Sequence, residues 1–512
     1  MTDNEALLQA ICADPDNVTL RLIYADWLEE HGDAARAEFI RVQCQLADMD
    51  EYDDGWPELR ERELALLNRH GRGWWKDIAG VNVGFRRGFV ERLKMPVETF
   101  LRLGEQLVLG GPPVVVDLTG RVSDYLQQMP CLARLRGLRI SDQAFLLDGL
   151  RELAAVNFVA LRELGLLGLG PAEVELLGQT QLGHQLVTLA LIGISGVGLE
   201  FLAASRSFSR VRQLDLAGTH LSDSAVRGLA ASPYWPALVE LSFSGNGLTS
   251  ESVDALSRST REPALQTLDL SWCRVGIRGC KSLATAKAFS SLQRLRLESC
   301  ALTAPMLAGL VQGPGHCWRQ LDLGDNFVLD DDGVRILAQA PRLAELKCLN
   351  VGRCGTTPWG LKDVMWSPHL RGLKRLIISG RDYDERCWQV LNSCPIHQNL
   401  QALGIHCLEF PDKEMRAFGQ QSRYPKLRSL KLSGPLKDEG LKTLAESEVF
   451  RQIVELDLIG TEVTPEGFEG LLWLPDSRLQ VLRYPVVPSG QKIRQRTLRR
   501  LGERFFAQDH LV

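Results

Sequence analysis

The sequence predicts an α/β solenoid, in which short parallel strands stack side by side and each is followed by a helix packed behind it. Three observations predict it. Leu265–Cys273 reads L-Q-T-L-D-L-S-W-C and recurs at Leu292–Cys300 as L-Q-R-L-R-L-E-S-C, with leucines at positions one, four and six and a Cys, Asn or Thr at position nine. The same frame holds at Leu214-Asp215-Leu216 with Thr219, Leu241-Ser242-Phe243 with Asn246, Leu321-Asp322-Leu323 with Asn326, Leu349-Asn350-Val351 with Cys354, and Leu456-Asp457-Leu458 with Thr461. Finally, the fourth-position leucine keeps phase at 135, 164, 189, 214, 241, 268, 295, 321, 349, 376, 403, 430, 456 and 482. The mean step is about 27 residues, inside the window of roughly 20–29 for repeats of one strand plus one helix.

The elements follow in order. Ala6, Leu7, Ala10 and Ile11 have helical spacing from Glu5 to Ala13, and Asp14-Pro15-Asp16 breaks that helix. A second helix spans Val18 to His31 with Leu20, Ile23, Tyr24, Trp27 and Leu28 as its apolar stripe, and Gly32 stops it. A third begins near Ala34 and buries Phe39, Val42 and Leu46. Residues 1–48 therefore read as a small all-α unit, and residues 49–112 as a transition and N-terminal cap. In that transition a helix from Leu59 to Arg69 ends at His70-Gly71, Trp74 and Trp75 follow, and Phe85 to Leu93 reads as a first, degenerate strand. Val114 to Leu118 supplies another early strand, and residues 113–488 form the solenoid. In its helical halves Ser222 and Thr464 stand as N-caps, with Pro465 at the first helical position. Residues 489–512, with Leu498, Leu501 and Phe505 among arginines, are read as a C-terminal capping helix.

The L-x-x-L-x-L frame is the signature of the leucine-rich repeat, and the unit length resembles the ribonuclease-inhibitor-like subfamily. That resemblance implies a curved horseshoe with parallel strands on the concave face and helices on the convex face. Tyr24-Ala25-Asp26-Trp27-Leu28-Glu29-Glu30-His31-Gly32-Asp33 and Arg36-Ala37-Glu38-Phe39-Ile40-Arg41-Val42-Gln43 resemble a second family. This is the short repeat-companion domain at the N-terminus of planctomycete-type bacterial repeat proteins. The resemblance implies architecture and no activity.

Composition bounds the function. Hydrophobic residues make up 45% and charged residues 24%, and the net charge of −4 lacks the basic excess of a nucleic-acid or membrane-surface binder. Met1 is followed by Thr-Asp-Asn-Glu, with no basic n-region and no apolar h-region, so a cytoplasmic monomer is expected. Of twelve cysteines, Cys273, Cys300 and Cys354 sit at position nine, where they alternate with Asn and Thr. That exchange predicts free thiols bonded to turn backbone, as suits a reducing compartment.

No phosphate loop, nucleophile elbow or H-E-x-x-H is present, so no enzyme activity and no cofactor are expected. Cys387, Cys394, His397, His406 and Cys407 are the best metal candidates, but their spacing matches no standard zinc pattern and no metal is expected. Asp26, Glu29, Glu30 and Asp33 read as a solvated helix face. The working surface falls instead on the residues alternating with the inward leucines. Asp215, Glu240 and Asp269 make an acidic patch, Arg294 and Arg296 a basic step with Trp272 at a strand exit beside it, and Asp322, Arg375 and Lys431 follow. Trp beside arginine has the composition of an interface hot spot. The function expected is a scaffold that binds another protein on the concave face. The rival is an enzyme regulator, an inhibitor or GTPase-activating horseshoe, with Arg296, Arg353 or Arg381 as the exposed arginine.

Overall fold

Three helices open the chain in the computed structural model, which describes residues 2–484 apart from 76–77, 142–146, 260–264, 314–316, 381, 396–397, 421–423 and 474–476. They are α1 (Asp3–Ala13), α2 (Val18–Glu30) and α3 (Ala34–Ala47). Each start is fixed by a side chain that accepts from the helix's unpaired N–H groups: Thr2 in a capping box with Glu5, Asn17 for Thr19 and Leu20, and Asp33 for Arg36. Gly32, at φ +90, separates α2 from α3 in a conformation that side chains resist.

The face of α2 differs from the expected stripe. Ile23 is 46% exposed, and the buried positions are Arg21, Tyr24, Ala25 and Leu28. The apolar pattern could not show this, because the residue at the centre of the face is an arginine. Arg21 is fully buried and donates from Nη2 to Glu91 Oε1 at 2.6 Å and to the Pro15 carbonyl at 2.6 Å, and from Nη1 to the Arg87 carbonyl at 3.1 Å. Its plane lies 5.1 Å from the Phe89 ring centroid.

Glu91 belongs to a hairpin, so Phe85–Leu93 is two strands rather than one. β1 (Asn82–Arg86) pairs antiparallel with β2 (Phe89–Pro96). Arg87 (φ 46) and Gly88 (φ 86) form a two-residue turn with both residues left-handed, as a twisted hairpin requires. Gly88 is also where α3 comes closest. Its N–H donates to Gln43 Oε1 at 2.6 Å, and a Cβ there would lie 2.9 Å from Ile40 Cα. The preceding helix α4 (Trp56–Trp74) runs on past Gly71 instead of ending there. Arg36 is packed among rings, its guanidinium 4.8 Å from the Trp74 centroid and 5.4 Å from that of Phe85, and burial pushes its pKa down to about 10.

The chain divides into two compact units, Met1–Leu66 with Arg72–Cys273 and Leu67–Gly71 with Arg274–Val512. In the first, β2 begins a parallel ladder whose inward rungs are Leu93, Val116, Leu138, Leu164, Leu189, Leu214, Leu241 and Leu268. In the second, the rungs are Leu295, Leu321, Leu349, Leu376, Leu403, Leu430, Leu456 and Leu482. All are buried, and in each unit a helix follows most strands. This is an α/β leucine-rich-repeat solenoid. One rung differs from the expected phase: the strand is Gly137–Ser141, so Leu138 takes the inward place assigned to Leu135, which closes a 3-10 turn. Both leucines fit the L-x-x-L frame, and only strand pairing separates them. The tail residues 489–512 lie outside the described residues.

Neighbouring repeats are also tied at their helix starts. Asp223 accepts from the Thr249 N–H at 2.9 Å and its hydroxyl at 2.8 Å, and from the Ser252 hydroxyl. Asp331 holds Thr357 in the same way at 2.8 and 2.6 Å, and Asp438 holds Thr464 at 2.8 and 2.5 Å. The Thr464 hydroxyl therefore bonds to the preceding repeat and does not cap its own helix, whereas Ser222 accepts from Ala225 as expected.

Burial alone would raise the Asp223 carboxyl, but the Ser252 and Thr249 hydrogen bonds outweigh it and hold the group below the usual carboxylate range. A folded pKa below the unfolded value of about 3.9 contributes stability above that value, and the contribution is lost as pH falls through the folded one. The thermal stability of the first unit should therefore fall on acidification below about pH 4, and Asp223→Asn should flatten that limb. An unchanged slope in the variant would assign the acid sensitivity to other groups.

Candidate protein-binding surface

The open face of each sheet, opposite the helices, carries the side chains that alternate with the inward leucines. In the first unit Gln213 is exposed, and Asp215, Glu240 and Asp269 are half-buried. Two of these acids have a local task. Asp215 accepts from the Ala217 N–H at 3.0 Å and Asp269 from the Ser271 N–H at 2.9 Å, which fixes the turn leaving each strand. The second unit repeats this with Asp322 on Gly324 at 3.1 Å, Asn350 on Gly352 at 2.9 Å and Asp457 on Ile459 at 2.9 Å. The sequence signal was available: an Asp or Asn between two inward apolar residues is placed to bond the backbone two residues on.

The structure brings some expected residues together. Asn350 donates to Asp322 at 2.8 Å, and Lys431 lies 3.7 Å from Asp457. Arg296 is exposed, and Arg294 and Arg375 are half-buried. Trp272 is 59% exposed at its strand exit.

A charge cluster on the open face of the earlier strands lies outside the surface expected from the sequence. Arg92 lies 3.3 Å from Glu163 and 3.8 Å from Asp117, and Arg139 lies 3.8 Å from both acids. Burial pushes the Asp117 carboxyl up in spite of both arginines. A Cβ at Gly165 would meet Arg139 Cγ at 3.0 Å, so the missing side chain gives the arginine room to lie across the sheet.

Beyond several strands the chain turns through a left-handed residue. Gly218 and Gly245 fill this place, but so do Trp272 (φ 61), Ser299 (φ 53), Asp325 (φ 58) and Arg353 (φ 57). A non-glycine residue there costs roughly 1–2 kcal/mol. The next residue compensates from below. Asn246 accepts from the Thr219 and Leu221 N–H groups at 3.1 and 2.9 Å and donates to the Leu216 and Phe243 carbonyls, both at 2.8 Å. The Cys354 thiol donates to the Leu323 carbonyl at 3.0 Å, and that of Cys273 to the Phe243 carbonyl at 3.6 Å. Burial pushes the Cys354 thiol up to about 12. At the rim Arg353 pairs with Asp325 at 3.0 Å and stacks 5.3 Å from the Phe327 centroid, with Phe327 and Val328 57% and 63% exposed. Arg381 lies outside the described residues.

Two members of the candidate metal group have other partners. Cys387, Cys394 and Cys407 are buried, and burial lifts Cys387 to about 12 and Cys407 well above its ordinary value. Cys394 donates to the Leu391 carbonyl at 3.4 Å, and His406 Nδ1 meets the Ser433 hydroxyl at 3.0 Å. His397 lies outside the described residues. Among those described, no three His, Cys, Asp or Glu side chains are grouped to hold a metal ion. No described helix is long and apolar enough to cross a membrane.

A family model described as a leucine-rich repeat matches residues 263–284. No curated protein matches the chain. Among solved structures it is similar to the yeast Rad7 and Elc1 complex, with a TM-score of 0.46 and 14% identity over 83% of this chain and 93% of that one. It is also similar to an internalin of Listeria monocytogenes str. 4b F2365, with a TM-score of 0.30 and 16% identity over 78% and 91%. A Bacteroides fragilis protein gives 0.29 and 13% identity over 50% and 67%.

Proposed function

We propose that the chain is a non-catalytic, monomeric scaffold that binds another protein on the open face of its sheets. The observation that carries this reading is a preformed polar surface whose backbone is already fixed by the parallel ladders. A partner docking there finds few groups left to order, which lowers the entropic cost of association. Glu240 and Trp272 in the first unit, and Arg294, Arg296, Arg375 and Lys431 in the second, are the contacts proposed. Asp215, Asp269 and Asp322 contribute charge while also holding their turns. We read the first 48 residues as a repeat-companion domain of the planctomycete type and the protein as a cytoplasmic one.

Arg296→Glu should leave stability within about 0.5 kcal/mol of the parent, because the residue is exposed on its strand. Capture of a partner from lysate on the immobilised protein should fall several-fold in that variant. Equal capture by both proteins would remove the open face from consideration, and loss of folding would show that Arg296 supports the sheet.

A further inference from the structure

The first unit separates its charge between the two ends of its helices. First turns carry Asp148, Glu173, Asp223 and Glu251, where acids complement unpaired N–H groups. At the other end, the successive connections into the strands run through residues 129–136, 156–162, 180–187, 205–212 and 232–239, and none of them contains an Asp or Glu. They contain Arg134, Arg136, Arg162, Arg206, Arg210 and Arg212 instead. A helix dipole favours cations within its last turn, whereas Arg162, Arg210 and Arg212 stand at the strand end of their connections. Backbone bonds lay these connections side by side. The Arg162 N–H donates to the Arg136 carbonyl at 2.6 Å, Val187 to Arg162 at 2.7 Å, Arg212 to Val187 at 2.8 Å and Val239 to Arg212 at 2.8 Å.

Arg210 and Arg212 are exposed and, among the described residues, make no ion pair. Arg206, exposed in the same connection, is held by stacking, its guanidinium 5.3 Å from the Tyr234 ring centroid. A stacked guanidinium keeps its N–H edge available and loses less freedom when that edge is used. The chain itself shows what this edge accepts. Farther along it, Arg136 Nη2 donates to both carboxylate oxygens of Asp16, each at 3.0 Å. Glu163 and Glu240 open the strands beyond, and Glu163 is paired with Arg92 at 3.3 Å.

We propose that this helix-exit edge of the first unit is a docking site for an acidic protein segment, whose carboxylates pair with Arg206, Arg210 and Arg212. Guanidinium forks match carboxylates in two-bond geometry, as Arg136 and Asp16 illustrate within the chain. Pro233 and Pro236, exposed on either side of Tyr234 and Trp235, add apolar contact for the segment's other side chains. Single-stranded nucleic acid fits less well, because it needs open rings on which bases stack. Of the Phe, Tyr and Trp rings in these connections, Phe158, Phe208 and Trp235 are buried and Tyr234 lies under Arg206. The site lies apart from the open-face contacts and stands or falls separately from them.

The test uses the full chain and a fluorescein-labelled twelve-residue peptide of alternating glutamate and serine, followed by anisotropy in about 50 mM and about 300 mM salt. Binding should be seen at low salt and weaken markedly at the higher concentration. Arg210→Glu with Arg212→Glu should weaken it by about tenfold or more, whereas Lys437→Glu with Lys442→Glu, the same charge change in the second unit, should stay within about twofold. Arg210→Gln with Arg212→Gln serves if the reversal perturbs folding, with a loss of about threefold or more. Equal losses in the edge and control variants, or no binding at low salt, would overturn the proposal. So would a uridine twelve-mer RNA or a short DNA duplex that binds more tightly than the peptide.

Discussion

Asn326→Ala should destabilise the second unit by roughly 3–5 kcal/mol, far more than the loss of a small buried side chain. The amide is fully buried and serves two repeats at once. It accepts from the Cys300 and Leu302 N–H groups, both at 2.9 Å, and donates to the Leu297, Leu323 and Gly324 carbonyls at 2.9, 2.7 and 3.2 Å. Alanine leaves the two N–H groups without the partner that the structure gives them, and each buried unsatisfied group costs about 1–3 kcal/mol. Urea denaturation gives the magnitude. Hydrogen exchange at Cys300 and Leu302 places it, because those amides should lose protection first. Asn326→Cys should fall between, since a thiol can donate to a carbonyl but accepts weakly. A loss below about 1 kcal/mol would mean that water takes over the amide's bonds.

Arg21→Met should cost a similar roughly 3–5 kcal/mol, because it strands a charge. Glu91 is 5% exposed, and its 2.6 Å partner is Arg21. The Pro15 and Arg87 carbonyls lose the same donor. Arg86, 3.9 Å away, is a second cation near Glu91. Adding Glu91→Leu to Arg21→Met should recover a large part of the loss, since an apolar pair often replaces a buried ion pair at little cost. Denaturation of the two variants measures the difference. If the double variant were no better than the single one, the carbonyl contacts of Arg21 would be the larger contribution.

These two residues mark where sequence reasoning reaches and where it stops. The repeat frame was legible because burial repeats: Leu241 and Leu321 are inward for the same reason, and their spacing reports it. Asn246, Asn326 and Cys354 were legible as turn-bonding residues because position nine accepts chemically related side chains. Arg21 was hidden, since an arginine on a helix reads as solvent-facing until Glu91 and two carbonyls arrive from elsewhere in the chain. Leu135 and Leu138 could not be told apart before pairing with Leu164 was known. The Asp223–Thr249 and Asp438–Thr464 ties were missed because a threonine before a helix ordinarily satisfies its own first turn. On the open face, periodicity located Asp215 and Asp269, and their residue type rather than their spacing signals the bond each makes to its own turn.

The buried thiols have a use beyond holding turns. Cys273, Cys300, Cys348, Cys354, Cys387, Cys394 and Cys407 are distributed over successive repeats, each shielded in the folded chain. Burial keeps several of them protonated, so alkylation must wait for a repeat to open. Their labelling rates therefore form a natural clock for each segment, and mass spectrometry of partly alkylated chains would reveal the order in which the stack unravels.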